Sequence, residues 1–407
     1  MRSFSAKRVR KSSPLRNKKV LAGITGSVAA YKAVGLIRRL RDEEAEVVPV
    51  MTSASLNFIT PLSIELAAGR RPVSSLWDEP LSHVDLTRSA DLLIIAPATA
   101  NTIGKMASGI ADDLLSAAFL AYAGKKTIIA PAMNSNMYAH PAFKKNLRYL
   151  TGELGVIEVC PECGPLACGT EGVGRMADVE TILEAARSAL AEKDLAGETV
   201  LVTAGPTREA LDPVRFISNR SSGKMGFALA RAALRRGAEV ILVSGPASIA
   251  PPPGLREYVR VETTLQMRRA VLKHARQSTL LVMSAAPADF TPASPGDKKI
   301  EKTKLFDLKL KVTPDILSEV SKVKPRPFLI GFSAETGADV SRAKRKLREK
   351  GLDMIVFNNV LEEGAGFDCP TNKVVLIGKD GSAHGLPLMD KEDVADAVFD
   401  RFLTFKA

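Results

Sequence analysis

Short, unbroken apolar runs recur through this chain, each followed by a stretch with helical spacing. In the first half they fall at residues 19–25, 46–52, 91–96 and 127–130. None alternates apolar with polar residues. Each therefore reads as a strand covered on both faces, as inner strands of a parallel sheet are. Residues 28–40 place Ala30, Val34 and Ile37 on one helical face, and a helix over 178–193 closes the series. Strands alternating with helices in this way predict a doubly wound α/β domain.

A second series begins after Asp194-Leu195-Ala196-Gly197-Glu198, where a glycine marks a helix exit. Strands are expected over 199–203, 239–244, 280–284, 328–332, 354–357 and 373–377. Helices are expected over 224–236, 264–276, 339–350 and 391–405. The expected organisation is a basic flexible tail over 1–18, a parallel-sheet domain over 19–195 and a Rossmann-like α/β domain over 196–407. Residues 295–311 are lysine-rich and irregular, and read as a mobile flap.

The net charge is +12, yet the first nineteen residues hold eight lysines and arginines and no acid, leaving +4 for the other 388. Basicity is thus a tail property. No aromatic or groove-reading element accompanies it, which argues against a nucleic-acid partner. No apolar run nears the roughly 18 residues that a membrane helix needs. Four cysteines make no disulfide framework, so a reducing cytoplasm is expected. Cys160, Cys163 and Cys168 cluster, but no second cysteine pair or paired histidine follows, and no metal site is expected.

Three segments follow strand ends in the first half. Gly26-Ser27-Val28-Ala29-Ala30-Tyr31 opens the first helix, where free N–H groups attract phosphate. It lacks the Gly-x-Gly-x-x-Gly pattern, so a dinucleotide is not favoured. Pro97-Ala98-Thr99-Ala100-Asn101-Thr102 and Pro131-Ala132-Met133-Asn134-Ser135-Asn136-Met137-Tyr138 follow two further strands. Both offer small residues, an amide side chain and open backbone beyond the carboxyl end of a strand, where α/β sheets bind ligands.

In this order the three segments resemble those of the flavin-dependent cysteine decarboxylases. Thr99 replaces the usual Ser, and Tyr138 stands where some members carry Trp. The resemblance implies a flavoprotein-like sheet that binds FMN through Gly26, Ser27, Thr52, Ala98, Thr99 and Asn101. It implies that His83, in Leu81-Ser82-His83-Val84-Asp85-Leu86, is the base. Oxidising a cysteine thiol to a thioaldehyde takes away a proton as the flavin accepts a hydride, and an imidazole suits that task. The carboxylate next to the thioaldehyde becomes labile, because the electrons left behind delocalise onto sulfur. Asn134 would hold that carboxylate and Met137 would pack on substrate or flavin. Cys168, in a glycine-rich lid, would deliver the proton for reduction of the enethiolate. Taken alone, the residues also admit blander roles: Asn134 as a helix cap, Met137 as core filling, Cys168 as a buried inert thiol.

In the second half, Thr203-Ala204-Gly205-Pro206-Thr207-Arg208-Glu209 follows a strand, and Asp212 to Gly226 runs into a helix. Ser221, Ser222 and Gly223 at that helix start make an anion cradle. Met225 stands where a P-loop needs Ser or Thr, and Gly205 alone is no dinucleotide fingerprint. The combined motif resembles the phosphopantothenate–cysteine ligases. The resemblance implies that the carboxylate of 4′-phosphopantothenate attacks the α-phosphate of CTP, with magnesium. Pyrophosphate then leaves, and the cysteine amine captures the acyl nucleotide. It implies Asn219 at the acyl intermediate and Arg215 in the second half-reaction. Asp289 and Phe332 would contact the nucleotide, Lys346 and Lys350 the triphosphate, and Lys299 the transferred phosphoryl group. Members usually carry Lys at the third place of Lys299-Ile300-Glu301-Lys302; Glu301 departs from this, and Lys302 is the fallback.

Together the halves are similar to the bifunctional bacterial enzymes of coenzyme A synthesis. That implies a homo-oligomer, with trimers of the first half that can build into a dodecamer, and dimers of the second. The competing readings are a flavin-binding regulatory protein of the same fold, and a peptide-cysteine decarboxylase fused to an unrelated nucleotide enzyme.

Overall fold

A computed structural model describes residues 13–77, 82–122, 124–165, 169, 171–301, 308–337, 339–366 and 368–406. The chain divides into two units, one ending at Ala191 and the other beginning at Glu192.

In the first unit, β1 (Lys19–Ile24), β2 (Glu46–Met51), β3 (Leu92–Ala98), β4 (Thr127–Pro131) and β5 (Ile157–Glu158) form a parallel sheet in the order β2-β1-β3-β4-β5. Every residue of β3 and β4 is buried, because both faces are covered. On one face Val20, Ile24, Leu92 and Ile94 pack with α1 (Tyr31–Asp42), α2 (Pro61–Ala68) and the late helix spanning Val179–Leu190. On the other, Leu21, Leu93 and Ile95 pack with α4 (Ala100–Ser108), α5 (Leu114–Ala121) and α7 (Pro141–Gly152). Helices α3 (Ser82–Ser89) and α6 (Ser135–Ala139) are shorter, and Val179–Leu190 is α8. The unbroken apolar runs are explained by this double covering.

The helix expected from residue 28 begins as a 3₁₀ turn, Val28–Ala30, capped by Ser27, and becomes α-helical at Tyr31. Periodicity did not disclose the antiparallel pair β6 (Glu162–Pro165) and β7 (Glu171–Arg175). β7 lies against the end of β4, where Met133 N donates to Gly174 O at 3.0 Å. Gly174 has φ 155°, and a Cβ there would sit 2.1 Å from Met133 O. The expected tail is not uniform. Residues 13–18 belong to the folded unit, since Leu15 is fully buried in its core and the Ser13 hydroxyl donates to Glu43 at 2.6 Å.

In the second unit, β8 (Thr199–Ala204) is followed by the hairpin β9 (Arg208–Ala210) and β10 (Phe216–Ser218). Next come β11 (Glu239–Ser244), β12 (Glu257–Arg260), β13 (Leu280–Met283) and the pair β14 (Phe290–Pro292) and β15 (Leu310–Val312). The last strands are β16 (Phe328–Glu335), β17 (Met354–Asn359), β18 (Thr371–Asn372), β19 (Val374–Gly378), β20 (Ala383–Gly385) and β21 (Met389–Asp390). The main sheet runs β12-β11-β8-β13-β16-β17-β19-β20. Its first six members are parallel, in the order 3-2-1-4-5-6 of the nucleotide-binding doubly wound fold. The last two are antiparallel additions. Helices α9 (Lys224–Arg235), α10 (Thr264–Ala275), α11 (Ile316–Val320), α12 (Ser341–Glu349) and α13 (Lys391–Lys406) complete the unit. α12 starts two residues later than expected, because the Asp339 carboxylate turns back to accept from Ser341 N at 2.8 Å and Ser341 Oγ at 2.6 Å. The fold class is the one read from the sequence. Among the described residues no helix is long and apolar enough to cross a membrane.

α9 packs directly on the end of β8. A Cβ at Gly226 would lie 2.5 Å from Ala204 Cβ and 2.8 Å from Thr203 O, both fixed by the sheet. Gly226→Ala is expected to destabilise the second unit by about 1–3 kcal/mol through overpacking. Chemical denaturation checks this; an unchanged midpoint would mean that helix and strand part freely.

Candidate functional site

In the first unit the chain runs from β1 to β2 on one side and then crosses to β3 on the other side of β1. Their carboxyl ends therefore part, which opens a crevice. A cavity of about 390 Å³ lies there. It is walled by four strand ends: Gly26 and Ser27 after β1, Thr52 to Ala54 after β2, Thr99 to Thr102 after β3, and Ala132, Met133 and Met137 after β4, with Lys105 and Asp113 beside them. Cavities of this size suit cofactors and small ligands.

Of the expected flavin contacts, Gly26, Ser27, Thr52, Thr99 and Asn101 line the cavity, as does Met137. Ala98 is fully buried at the end of β3, opposite Pro131. Gly26 is required by close approach: a Cβ there would lie 2.6 Å from Ala54 Cβ. Ser27 Oγ accepts from Ala29 N at 3.3 Å and Thr99 Oγ1 from Thr102 N at 3.3 Å, so two helix starts open on the crevice. Such ends favour anions.

Asn134 caps α6, its Oδ1 accepting from Asn136 N at 2.8 Å. Tyr138 donates to Glu158 at 2.9 Å from a ring that packs on Phe143 and lies under the Lys144 ammonium. His83 is half-buried on α3 and is not among the residues that wall the cavity. Cys168 lies outside the described residues, on the segment joining β6 to β7. Cys160 and Cys163 are free and exposed. Among the described residues no three His, Cys, Asp or Glu side chains gather as a metal site.

Sequence reasoning missed three groups here. Lys105 bridges Asp112 at 2.7 Å and Asp113 at 2.9 Å, and these carboxylates hold its ammonium above the ordinary lysine range. Lys105 and Asp113 are the charged side chains on the described cavity wall. The third group is Thr25, fully buried, whose hydroxyl donates to Pro97 O at 2.7 Å and accepts from Thr99 N at 3.2 Å. A threonine closing an apolar strand was the available signal.

The second unit repeats the crevice between β8 and β13. Gly205 and Gly223 both have left-handed φ, 72° and 79°, and a Cβ on Gly223 would meet Gly205 N at 3.4 Å. Thr203 Oγ1 accepts from Ala285 N at 3.1 Å, and Thr207 Oγ1 from Ala288 N at 2.9 Å. Glu209 accepts from Thr264 N at 2.8 Å and so occupies the start of α10.

Asn219 is exposed and donates to Pro287 O at 2.9 Å, which places it on the segment carrying Asp289. Lys346 donates to Phe332 O at 2.9 Å. Burial first, and then the charge of Lys350, pushes its ammonium below the ordinary lysine range, against the pull of Glu335, Asp289 and Asp315. Lys350 pairs with Asp315 at 3.2 Å. Asp289, Phe332, Lys346 and Lys350 are thus brought together by electrostatic or hydrogen-bonded contact.

Lys299 is exposed on the lysine-rich segment; Lys302 lies outside the described residues. The segment is anchored at the neighbouring residue. Buried Asp212 accepts from Val214 N at 2.8 Å, Arg215 N at 2.7 Å and Ile300 N at 3.1 Å, while Arg215 Nη1 donates to Ile300 O at 3.0 Å and to Asp212 at 3.2 Å. Burial alone would raise the Asp212 carboxyl; these hydrogen bonds outweigh it and hold it below its usual range.

The order of the first sheet, together with a cavity over its reversal point, defines a protein of the flavodoxin-like α/β class. Residues 8–191 match the flavoprotein family, and residues 195–405 match the DNA/pantothenate metabolism flavoprotein C-terminal domain. The coenzyme A biosynthesis bifunctional protein CoaBC of Bacillus subtilis is 44% identical over 389 residues, 94% of this chain and 95% of its own. Among solved structures, the C-terminal domain of a CoaBC protein covers 53% of this chain and 98% of its own, at 39% identity and TM-score 0.46. A PPC decarboxylase mutant complexed with pantothenoylaminoethenethiol covers 42% of this chain and 97% of its own, at 36% identity and TM-score 0.38. The chain belongs to the family of CoaBC bifunctional proteins: it is an enzyme of coenzyme A biosynthesis.

Asp212→Ala frees Ile300. Tryptic cleavage after Lys298 and Lys299 is then expected to accelerate several-fold, because local opening sets access to the bond. Unchanged cleavage would show that the segment is held by other contacts.

Proposed function

We propose that the second unit joins cysteine to 4′-phosphopantothenate at the expense of CTP with magnesium, and that the first decarboxylates the product to 4′-phosphopantetheine with FMN. Family membership over nearly the whole chain supports the pairing. The observation that carries the first half is the cavity at the reversal point, whose walls fit a flavin. Five hydroxyl-bearing residues line it, a glycine stands where a Cβ would collide with Ala54, and two helix starts await a phosphate.

Gly26, Ser27, Thr52, Ala98, Thr99 and Asn101 hold the FMN. The bound flavin supplies two-electron redox chemistry at the substrate's sulfur-bearing carbon. The residues do the rest. His83 accepts the thiol proton. The Asn134 amide, whose carbonyl accepts from Asn136 N, holds the substrate carboxylate. An uncharged donor holds that carboxylate without opposing its loss as carbon dioxide. Met137, half-exposed on the cavity wall, packs on the substrate. Cys168 returns a proton after decarboxylation.

His83 is not among the residues that wall the cavity of its own chain; in the homo-oligomer proposed here, with the flavin near the subunit boundary, it is brought to the cavity of a second copy. Exposed Val28, Tyr31, Leu56, Phe58, Leu62 and Leu66 follow the β1 and β2 ends, and such an apolar surface favours burial between copies. The assembly is a homo-oligomer, trimeric in the first unit, built toward a dodecamer through dimers of the second. The protein works in the cytoplasm.

In the second unit, Asp289 and Phe332 hold the nucleotide, with Lys346 and Lys350 on its triphosphate. Lys299 faces the charge that develops on the transferred phosphoryl group. Asn219 contacts the acyl nucleotide, and Arg215 serves its capture by the cysteine amine.

His83→Asn is expected to abolish carbon dioxide release while pyrophosphate release on incubation with 4′-phosphopantothenate, cysteine and CTP persists. Loss of both would contradict two separate sites. Lys346 with its lowered pKa loses its charge at a lower pH than an ordinary lysine. CTP affinity should therefore weaken as pH rises through that value, and Lys346→Met should remove this step. A titration with the same pH profile in both proteins would exclude Lys346 from the triphosphate site.

A further inference from the structure

Both crevices share a device that the catalytic assignments leave unused. The reversal of strand order means that the loops after the two central strands leave in opposite directions. Ladder hydrogen bonds thin out where the loops part, down to Ala286 N donating to Gly205 O in the second unit, and buried backbone groups there need other partners. In the first unit one side chain provides them. Thr25 follows β1 and is 1% exposed. Its hydroxyl has one proton and donates it to Pro97 O at 2.7 Å; its lone pair accepts from Thr99 N at 3.2 Å. Those two groups flank Ala98 and lead into Thr99, whose own hydroxyl caps α4 and faces the cavity. The spacing of the β1 loop from the β3 loop is therefore set through this single oxygen.

The second unit does the same with different residues. Thr203 lies in β8, is fully buried, and accepts from Ala285 N at 3.1 Å just beyond β13. Its proton points to Met283 Sδ at 3.4 Å. In each unit, a threonine hydroxyl at or near the end of the first strand crosses the reversal point and accepts the N–H of a residue in the loop opposite.

We infer that Thr25 and Thr203 are positioning residues for the two reactions, and that the Thr25 hydroxyl in particular holds the β3 loop in the geometry that binds the flavin phosphate and ring. The inference rests on the flavin reading of the first cavity. It concerns the hydroxyl and not the methyl, which allows a clean test.

Thr25→Val keeps the methyl and shape but removes the hydroxyl, leaving buried Pro97 O without that donor and Thr99 N–H without that acceptor. Thr25→Ser keeps the hydroxyl and removes the methyl. The full chain is stripped of flavin, and FMN is titrated back by its fluorescence quenching. Thr25→Val is expected to raise the FMN dissociation constant about tenfold, because the loop relaxes in the free protein to re-satisfy the orphaned Pro97 O and binding must then undo that relaxation. Thr25→Ser should stay within about threefold of the parent, since its hydrogen bonds persist. The reverse ranking, with Ser weaker than Val, would overturn the inference in favour of simple packing. If Thr25→Val does not fold, the Ser variant alone decides, because a role for the methyl requires it to be impaired. If the parent chain itself binds no FMN, the flavin reading fails and not the role of the hydroxyl. For the second unit, Thr203→Val should raise the KM for CTP with kcat less affected, and an unchanged KM would remove Thr203 from the inference.

Discussion

Where the loops after two neighbouring parallel strands turn to opposite faces, the ladder between them gives out, and among the described residues of the second unit only Ala286 N, donating to Gly205 O at 3.0 Å, carries it further. That constraint shapes both units. Each sheet reverses its order beside its first strand, each reversal opens a gap, and in each the gap is braced by a threonine hydroxyl. Glycines stand where the loops come closest. Gly26 lies under Ala54, and a Cβ on Gly245 would stand 1.7 Å from Pro206 O. A side chain at either place would push the walls apart. In the first unit, what remains between the walls is a cavity bordered by helix starts.

The two gaps differ in how they meet negative charge. The first has Ser27, Thr99 and two helix starts, and the Lys105 charge on its wall is already matched by Asp112 and Asp113. Backbone and hydroxyl groups of this kind suit a cofactor that stays in place. The second brings Lys346 and Lys350 to the strand ends and keeps Lys299 on a segment pinned by Asp212 and Arg215. Ammonium groups gathered in this way suit an anion that binds and leaves, as the proposed triphosphate does. Lys346 is held by a carbonyl and crowded by Lys350, so its charge is costly until an anion arrives.

Much of this was legible in the sequence. Double covering of the sheets made the strands continuous apolar runs, and the strands and helices named from those runs are present. The segments after β1, β3 and β4 converge on one cavity because parallel strands end on one side. Of the fourth wall, Thr52 to Ala54, the resemblance named Thr52 alone; Ser53 and Ala54 carry no motif of their own. The sequence could not disclose the hairpin of β6 and β7, since its alternation is broken by glycine and proline. Leu15 sits among lysines and arginines, so only the packed structure shows that it enters the core. Asp212 read as part of a motif, but its hold on Ile300 joins positions 88 residues apart, which no local pattern reveals.

The account stands on a flavin seated over the reversal point of the first sheet. The direct measurement is the flavin stoichiometry of the full chain after incubation with FMN and removal of the unbound coenzyme. One FMN per chain, with a visible absorption band, is the predicted result. Protein that stays colourless after that treatment contradicts it.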